Sequence, residues 1–435
     1  MKHSLALERA KTKNAKMNIT LTGTCITIML MCGLAVAILP QALLAVAVLA
    51  CAVILVATRE IWLAFPILIF YYESFGLLFG MSVYRYFTLL FFVFALMNCR
   101  KIPVRFFHIV PLFIFALYSI LVIAPYDIRR AIFVLLDVVC IVLLVSCFLN
   151  NEKNLKKFFN IYVFTALCAF ITGVVTNSTR VAEQVIGGEL VEVARNYATF
   201  EDPNYMGLFY SVAIFAMMAL SLFRPVVRAV IAITLTVMIL TSLSVTALIT
   251  NVIFWLVYLF AYRKINMVTF CCFLLALVAL VGLYSYGLEN PDAPVIGTFS
   301  LRIHDKLDSL AAGDINNVTT NRTALSQRHW EYFKQQPVLR MFFGMNAAST
   351  IKTDLDGHNG VGHQEYIDLL LNIGLLGTII YLGVIITRTL KMFSRARCNA
   401  DAYSGCVFML KVIWLAYGFA LTMFGDYRFM MLFFI

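Results

Sequence analysis

Long apolar runs with few charged residues recur along this chain from Met17 onward. Many reach about 18 residues, the length at which a helix rising 1.5 Å per residue crosses a hydrocarbon core of about 30 Å. Hydrophobic residues make up 62% of the sequence and charged residues 13%, against about 45–50% and about 25% in soluble domains. The runs lack the alternation that a membrane β-barrel requires. The sequence therefore predicts an all-α, polytopic membrane protein and excludes a water-soluble globular domain.

Taking each run as one helix predicts a single membrane domain, residues 1–435, with about twelve to fourteen transmembrane helices. The predicted spans are 18–39, 41–57, 61–80, 82–98, 108–124, 131–149, 158–175, 204–222, 226–244, 246–262, 267–287, 365–388 and 403–424. The apolar tail after Arg428 is too short to span, and we expect it to pack against the bundle.

Lysine and arginine residues are concentrated in alternate junctions between the spans, which predicts the orientation because positive charge resists translocation. The basic junctions contain Arg59, Arg100, Lys101, Arg105, Lys153, Lys156, Lys157, Arg224, Arg228, Arg263, Lys264, Arg388, Lys391, Arg395 and Arg397. These junctions and the N-terminus are predicted to be cytoplasmic. The first outer segment (176–203) and the second outer segment (288–364) then lie outside. Topology thus accounts for the net charge of +11, and no nucleic-acid partner is predicted.

The second outer segment is long enough to form a small helical subdomain. Residues 299–310 carry apolar side chains at helical spacing and predict an amphipathic interfacial helix. Residues 321–336 predict a second helix that ends before Pro337. Residues 344–362 are rich in Gly, Asn, Ser, Thr and Asp and predict an irregular loop.

The cysteines give no sign of a metal or redox centre. None of the eleven cysteines lies in an outer segment, so no disulfide framework and no CxxC metal site is predicted. One aspartate pair with DxD spacing, Asp354-Leu-Asp356, lies in the second outer segment, but arginines that bind a diphosphate make a metal for a nucleotide sugar unnecessary. We therefore predict a metal-independent protein without a cofactor.

The first of three polar patterns stands at the outer entrance to a span. Asp202 or Asn204 would cap the helix there, with Pro203 in its first turn. Capping explains the Asp-Pro-Asn sequence but leaves Arg195 nearby unexplained. The planar, permanently charged guanidinium of arginine binds phosphate oxygens bidentately. Arg195 is therefore a candidate ligand of a lipid diphosphate.

The second pattern places Arg322 and Arg328 with Trp330 on the helix predicted in the second outer segment. A site for a lipid diphosphate at the membrane surface needs two or three such arginines. In the alternative interpretation, Trp330 packs at the membrane interface while the arginines snorkel or pair with neighbouring carboxylates.

The third pattern is His363, Glu365 and Tyr366, just before a span that contains Gly374 and Gly377 at a close-packing position. A neutral imidazole, whose pKa is ordinarily about 6.5, could take a proton from a sugar hydroxyl. Glu365 is a less favoured substitute for that role. In the alternative interpretation, His363 caps a helix or bonds to loop backbone.

Taken in order, the three patterns resemble the O-antigen ligase and polymerase superfamily, the membrane proteins called WaaL and Wzy. The matching residues are Arg195, Ala198-Thr199-Phe200, Pro203-Asn204, Arg328, Trp330, Pro337, Gly344-Met-Asn346, His363-Gln364-Glu365-Tyr366 and Gly374-Leu-Leu-Gly377. The chain departs from the family at Asn346, where a glycine is usual, and at Gln364, where an asparagine is usual. Ser244-Val-Thr-Ala247 lacks the arginine of the family's Ser-Arg-Thr-Ala step. His358, which an asparagine follows, competes with His363 as the functional histidine.

The resemblance implies a glycosyltransferase of the GT-C type in the bacterial inner membrane, with a cytoplasmic N-terminus and a periplasmic active site. Its donor would be an undecaprenyl-diphosphate-linked oligosaccharide. A polymerase transfers the growing glycan to the next lipid-linked repeat unit, so donor and acceptor are of one kind; a ligase transfers it to lipid A-core in lipopolysaccharide biosynthesis. The sequence Glu-Asp-Pro-Asn-Tyr at 201–205 favours the polymerase, and the ligase is the alternative. The expected partners are these lipid-linked glycans, membrane lipids and a chain-length regulator protein.

The resemblance also implies roles for individual residues. Arg195 and Arg328, with Arg322, would neutralise the charge that grows on the departing diphosphate. His363 would orient or deprotonate the acceptor hydroxyl, with Glu365 as the substitute. The further substrate-binding candidates are Asn204, Trp330 and Tyr366.

A rival from another class is a transporter or flippase for the same lipid-linked glycan. It predicts ionisable residues at the bilayer midplane and broken helices. In the sequence, Asp137 is the main ionisable residue inside a predicted span.

Overall fold

The computed structural model describes most of the chain. The described residues are 2–72, 74–98, 106–118, 120, 123–125, 127–176, 179–186, 189–196, 198–200, 202–262, 267–293, 296–319, 322–344, 365–399, 401–419, 421, 423 and 434–435. Contacts divide the chain into two compact units. Unit 1 comprises Met1–Pro103, Ser146–Ser178 and Ala198–Phe200, and unit 2 comprises Val104–Val145, Thr179–Tyr197 and Glu201–Ile435.

Helices dominate both units, which confirms the predicted all-α class. In chain order they are α1 (Lys2–Leu34), α2 (Gln41–Ala57), α3 (Phe65–Phe70), α4 (Val83–Asn98), α5 (Phe106–Tyr118), α6 (Ile128–Leu143), α7 (Glu152–Val175), α8 (Pro203–Ala219), α9 (Pro225–Thr241), α10 (Val245–Leu256), α11 (Met267–Glu289), α12 (Ile296–Ala311), α13 (Ile315–Val318), α14 (Arg322–Lys334), α15 (Val338–Phe343), α16 (Glu365–Asn399) and α17 (Ala402–Tyr417). Short 3₁₀ segments cover Ala35–Ala37 and Ile61–Ala64, and π-helical turns cover Leu144–Phe148 and Val257–Tyr262.

Four helical segments are long and apolar enough to cross a membrane: Met17–Ala37, Ile128–Phe148, Glu152–Val175 and Glu365–Cys398. Shorter apolar helices are Gln41–Ala57, Ile61–Phe70, Val83–Asn98, Pro225–Thr241, Val245–Leu259 and Ala402–Tyr417. These segments support a membrane protein. The larger number of spans stays a prediction.

In unit 1, a buried polar contact joins α7 to α1 and to Tyr71. Thr172 of α7 donates its hydroxyl to the carbonyl of Gly33 at 3.1 Å and lies 3.0 Å from the hydroxyl of Tyr71. A Cβ on Gly33 would stand 2.5 Å from the Tyr71 ring, so only glycine lets α1 approach so closely. Thr199 bonds to the carbonyl of Phe70 at 2.5 Å in the same region.

The first outer segment contains a β-hairpin that the sequence analysis did not predict. The strands β3 (Thr179–Ile186) and β4 (Glu189–Asn196) pair antiparallel, with Thr179 opposite Asn196. Both are rich in β-branched and other residues suited to a sheet, and the two residues between them in the sequence are glycines. A shorter antiparallel pair joins β1 (Leu77–Leu78) to β2 (Met81–Ser82).

Both helices predicted in the second outer segment are confirmed. The helix α12 contains the predicted residues 299–310, and α14 lies within the predicted range 321–336. Pro337 then begins a further short helix, α15, which was not predicted. The predicted irregular loop 344–362 lies outside the described residues, except for Gly344.

The helix α16 is broken at Gly374, whose φ of 71° and ψ of 178° are not helical. The helix α15 packs against α16 at this break. A Cβ on Gly374 would stand 2.5 Å from the nitrogen of Gly344 and would also collide with the carbonyl of Phe342. The close packing predicted for Gly374 is therefore confirmed, and the break that accompanies it was not predicted.

Candidate functional site

A buried histidine and aspartate meet where α14 packs against the N-terminal half of α16. Nδ1 of His329 lies 3.8 Å from Oδ1 of Asp368, and both side chains are almost fully buried. The apolar contact that brings the helices together is between Phe333 and Leu371. His329 precedes Phe333 by four residues and Asp368 precedes Leu371 by three, so each polar residue shares a helix face with its apolar neighbour.

Asp368 belongs to a buried polar stripe on the first turns of α16. Glu365, Asp368 and Asn372 follow at helical spacing, and they are 0%, 5% and 3% exposed. Oε2 of Glu365 accepts a bond from the amide of Met423 at 2.5 Å. Tyr118, at the end of α5, lies near both carboxylates. A buried carboxylate without a hydrogen-bond partner would cost several kcal/mol. The bond from Met423 offsets part of that cost for Glu365.

Burial lowers the pKa of His329 below its ordinary value of about 6.5. Its imidazole is therefore neutral at neutral pH. A neutral imidazole has one donor nitrogen and one acceptor nitrogen. Within the described part of the chain, neither nitrogen has a hydrogen-bond partner.

The predicted residues of α14 lie on the same helix as His329. Arg328 is exposed beside it, and Arg322 is the first residue of the helix. Trp330 is 42% exposed; its ring stacks on Phe333 at 5.6 Å and carries the ammonium of Lys334 at 6.0 Å. The second sequence pattern therefore meets the third pattern at the α14–α16 contact.

The predicted residues at the start of α16 are tightly held. Tyr366 is half-buried, its ring lies 4.7 Å from that of Phe419, and its hydroxyl donates to the carbonyl of Leu415. The amide of Glu365 donates to the carbonyl of Gly418 at 2.8 Å. These bonds anchor the start of α16 to the end of α17. Glu365 is thus a fully buried, bonded carboxylate.

Asn204 lies in a second polar network at the start of α8. Of the two predicted caps, Asp202 is the one that caps α8: its Oδ1 accepts bonds from the backbone amide of Asn204 at 2.6 Å and from the side-chain amide at 2.7 Å. The Asn204 carbonyl oxygen accepts a bond from the hydroxyl of Ser244, which caps α10, at 2.5 Å. Asn204 therefore ties α8 to α10.

An arginine that the sequence analysis did not select reaches this second network. Arg302 of α12 is 7% exposed, and its Nη1 donates to the carbonyl of Leu243 at 2.6 Å, next to Ser244. Arg302 of α12 thus brings a guanidinium next to Ser244, the N-cap of α10. The contact spans 59 residues, so no local pattern could have revealed it.

The polar stripe of α16 and the network around Asn204 lie at the same end of unit 2. A Cβ on Gly207 of α8 would stand 3.1 Å from the hydroxyl of Tyr417. The next residue, Gly418, accepts the bond from Glu365. The end of α17 therefore contacts the first turns of both α8 and α16, which brings Asn204 and Glu365 to this end.

Arg195 lies on a different element, the strand β4. Its register partner in β3 is Arg180, so two arginines occupy one paired position of the hairpin. Arg195 is thus on the hairpin, whereas Arg328 is on α14. His363 and its competitor His358 lie outside the described residues.

Within the described ranges, no group of three or more His, Cys, Asp or Glu residues is placed to hold a metal ion. Metal independence stays a prediction.

Comparison with known proteins adds no assignment. No protein-family model matches this chain, and none of the curated proteins matches it.

Proposed function

We propose that this protein is an O-antigen polymerase of the bacterial inner membrane. It joins undecaprenyl-diphosphate-linked oligosaccharide repeat units on the periplasmic face and releases undecaprenyl diphosphate. The observation that carries the proposal is the contact between α14, with Arg322 and Arg328, and the start of α16, with Glu365 and Asp368. Two patterns that are distant in the sequence, and that bear opposite charges, meet at one place.

The charges indicate which residues bind the diphosphate and which lie on the acceptor side. Buried carboxylates repel a diphosphate, whereas arginines bind one bidentately. Arg328 and Arg322, together with Arg195, therefore serve the departing diphosphate. The buried stripe that contains Glu365 and Asp368 is then on the side of the sugar acceptor.

The proposed topology completes this picture. A GT-C-like bundle of about twelve to fourteen spans, with a cytoplasmic N-terminus, places the α14–α16 contact on the periplasmic side. The lipid tail of the substrate then stays in the bilayer while its diphosphate reaches the arginines. The reaction needs no metal, because cationic side chains neutralise the leaving group.

Deleting the gene tests the proposal and separates it from the ligase alternative. We expect the surface glycan to lose its ladder while a single repeat stays attached to lipid A-core. Loss of all attached glycan would indicate a ligase. Complementation with Arg328→Ala, Arg195→Ala or His363→Ala should fail to restore long chains. Arg340→Ala, an exposed arginine on α15, is the matched control and should restore the ladder. Wild-type ladders from all three site variants would overturn the assignment of these residues.

A transporter of the same lipid-linked glycan is the second candidate, and two observations favour it. The helix α16 is broken at Gly374. Lys411, at 0% exposure, is buried in the apolar helix α17. Broken helices and intramembrane charges are typical of transporters. A transporter would move the donor across liposome membranes with its glycosyl-diphosphate bond intact, whereas the polymerase breaks that bond.

A further inference from the structure

His329 is a buried polar side chain with unused hydrogen-bonding capacity. It is 3% exposed, and neither ring nitrogen has a hydrogen-bond partner within the described residues. Buried polar atoms are almost always bonded, because an unmet donor or acceptor costs about 1–3 kcal/mol. An unmet group of this kind that faces the buried polar stripe of α16 indicates a position that a ligand completes.

Asp368 determines which nitrogen of the His329 imidazole carries the proton. Its carboxylate lies 3.8 Å from Nδ1, which favours the tautomer with the proton on Nδ1. The lone pair is then on Nε2, the nitrogen remote from the carboxylate. Catalytic hydrogen bonds are often long before substrate binds and shorten in the complex. The pair has the order of base and orienting carboxylate that activates hydroxyl groups in many enzymes.

The second outer segment contains another histidine–aspartate pair, which serves as a comparison for His329 and Asp368. Nε2 of His304 lies 3.4 Å from Oδ2 of Asp308, one turn later on α12, and both side chains are exposed. Nδ1 of His304 lies 3.1 Å from the hydroxyl of Tyr284. This pair has both nitrogens engaged at the surface, as expected of a structural contact. The His329 pair differs from it in burial and in its unmet nitrogens.

We propose that His329 is the general base of the transfer reaction and that Asp368 is its positioning residue. The inference rests on the proposed glycosyl transfer. Nε2 of His329 takes the proton of the acceptor hydroxyl as that oxygen forms a bond to the anomeric carbon of the donor. The bond from this carbon to the diphosphate oxygen breaks, and its electron pair leaves with undecaprenyl diphosphate. The imidazolium then returns its proton to solvent.

The surroundings of His329 are consistent with this role. Asp368 faces it, and Glu365 lies one turn earlier on α16, with Tyr118 beside both carboxylates. Arg328 and Glu331 are on other faces of α14. The helix α13, with the sequence INNV, contributes no titratable residue.

The test uses the full-length protein in liposomes with undecaprenyl-diphosphate-linked repeat units, and measures release of undecaprenyl diphosphate. We expect His329→Gln to lower kcat by about 10²-fold or more, the usual contribution of a general base. Added imidazole should restore part of the rate to His329→Ala. The control His304→Gln should keep the wild-type rate. Membrane yield and elution as a single species establish that each variant is folded.

Asp368→Asn separates positioning from a merely structural role. A base must be unprotonated, so activity falls as the pH drops below its pKa. Removing the negative charge of Asp368 lowers that pKa, so the acidic limb of the kcat profile should move to lower pH while kcat falls. Asp308→Asn should leave the limb in place.

The outcomes distinguish this inference from the proposed function. An inactive wild-type protein would contradict the proposed function itself. An active wild type with a fully active, folded His329→Gln would overturn the role of His329 and leave glycosyl transfer standing. Loss of activity in His363→Gln alone would assign the base to His363 instead.

Discussion

Gly374 and Gly344 lie in backbone contact, so that a Cβ on Gly374 would stand 2.5 Å from the Gly344 nitrogen. Both residues have positive φ, 71° and 89°. This contact holds the short helix α15 against the break in α16. The helix α15 directly follows α14, the helix that contains His329.

Gly374→Ala should therefore destabilise the folded protein. The alanine would need a left-handed backbone, at about 1–3 kcal/mol, and its methyl group would meet the carbonyl of Phe342. Thermal unfolding in detergent should show a lower midpoint. Gly383→Ala is the control on the same helix, since a Cβ there meets nothing within 4 Å. Equal midpoints for the two variants would contradict the role of the Gly374 contact.

Arg302→Gln should destabilise unit 2 by about 1.5–3 kcal/mol, the usual range for a hydrogen bond with a charged partner. The variant removes the bond from Nη1 to the Leu243 carbonyl, at the turn between α9 and α10. Denaturation followed by tryptophan fluorescence measures the loss. Arg340→Gln changes an exposed arginine and should have little effect. A stability equal to wild type for Arg302→Gln would show that the buried bond is dispensable.

Ser244→Ala should release Asn204 from its fixed orientation. The hydroxyl both caps α10 and donates to the Asn204 side chain at 2.5 Å, and loss of a cap alone costs about 1 kcal/mol. If Asn204 binds the substrate, KM for the lipid-linked glycan should rise. Thr236→Ala, whose hydroxyl donates to Ala232 in its own helix, should change neither KM nor stability. An unchanged KM in Ser244→Ala would remove Asn204 from the binding site.

The depressed pKa of His329 predicts a pH dependence of stability. Burial favours the neutral ring, so between the folded pKa and about 6.5 the unfolded chain binds more protons than the folded one. The free energy of unfolding should therefore fall as the pH drops below about 6.5. His329→Gln should have a smaller slope than wild type, whereas His304→Gln should keep it. Unfolding midpoints measured from pH 7.5 to 5.5 check this, and parallel curves would contradict a neutral, buried His329.

Local signals in the sequence predicted the local parts of this structure. Asp202 and Pro203 begin α8 as expected, because capping and the proline φ depend on adjacent residues. Pro337 ends α14 for the same kind of reason. The apolar composition of each helix is likewise a property of that helix alone, so it could be recognised in the sequence.

The parts that were not predicted depend on contacts between distant residues. The polar pair of His329 and Asp368 depends on how α14 packs against α16, which no spacing in the sequence encodes. Arg302 reaches a carbonyl 59 residues away. A glycine such as Gly374 is compatible with close packing, with a break or with both, and only the position of α15 decides between them.

The central claim is that this protein forms glycosidic bonds at the expense of a lipid diphosphate. The direct measurement incubates the purified full-length chain, in liposomes, with undecaprenyl-diphosphate-linked repeat units and a metal chelator. We expect a ladder of lengthened glycans, with one undecaprenyl diphosphate released for each bond formed. A donor that remains intact, whether it stays in place or crosses the bilayer, would contradict it.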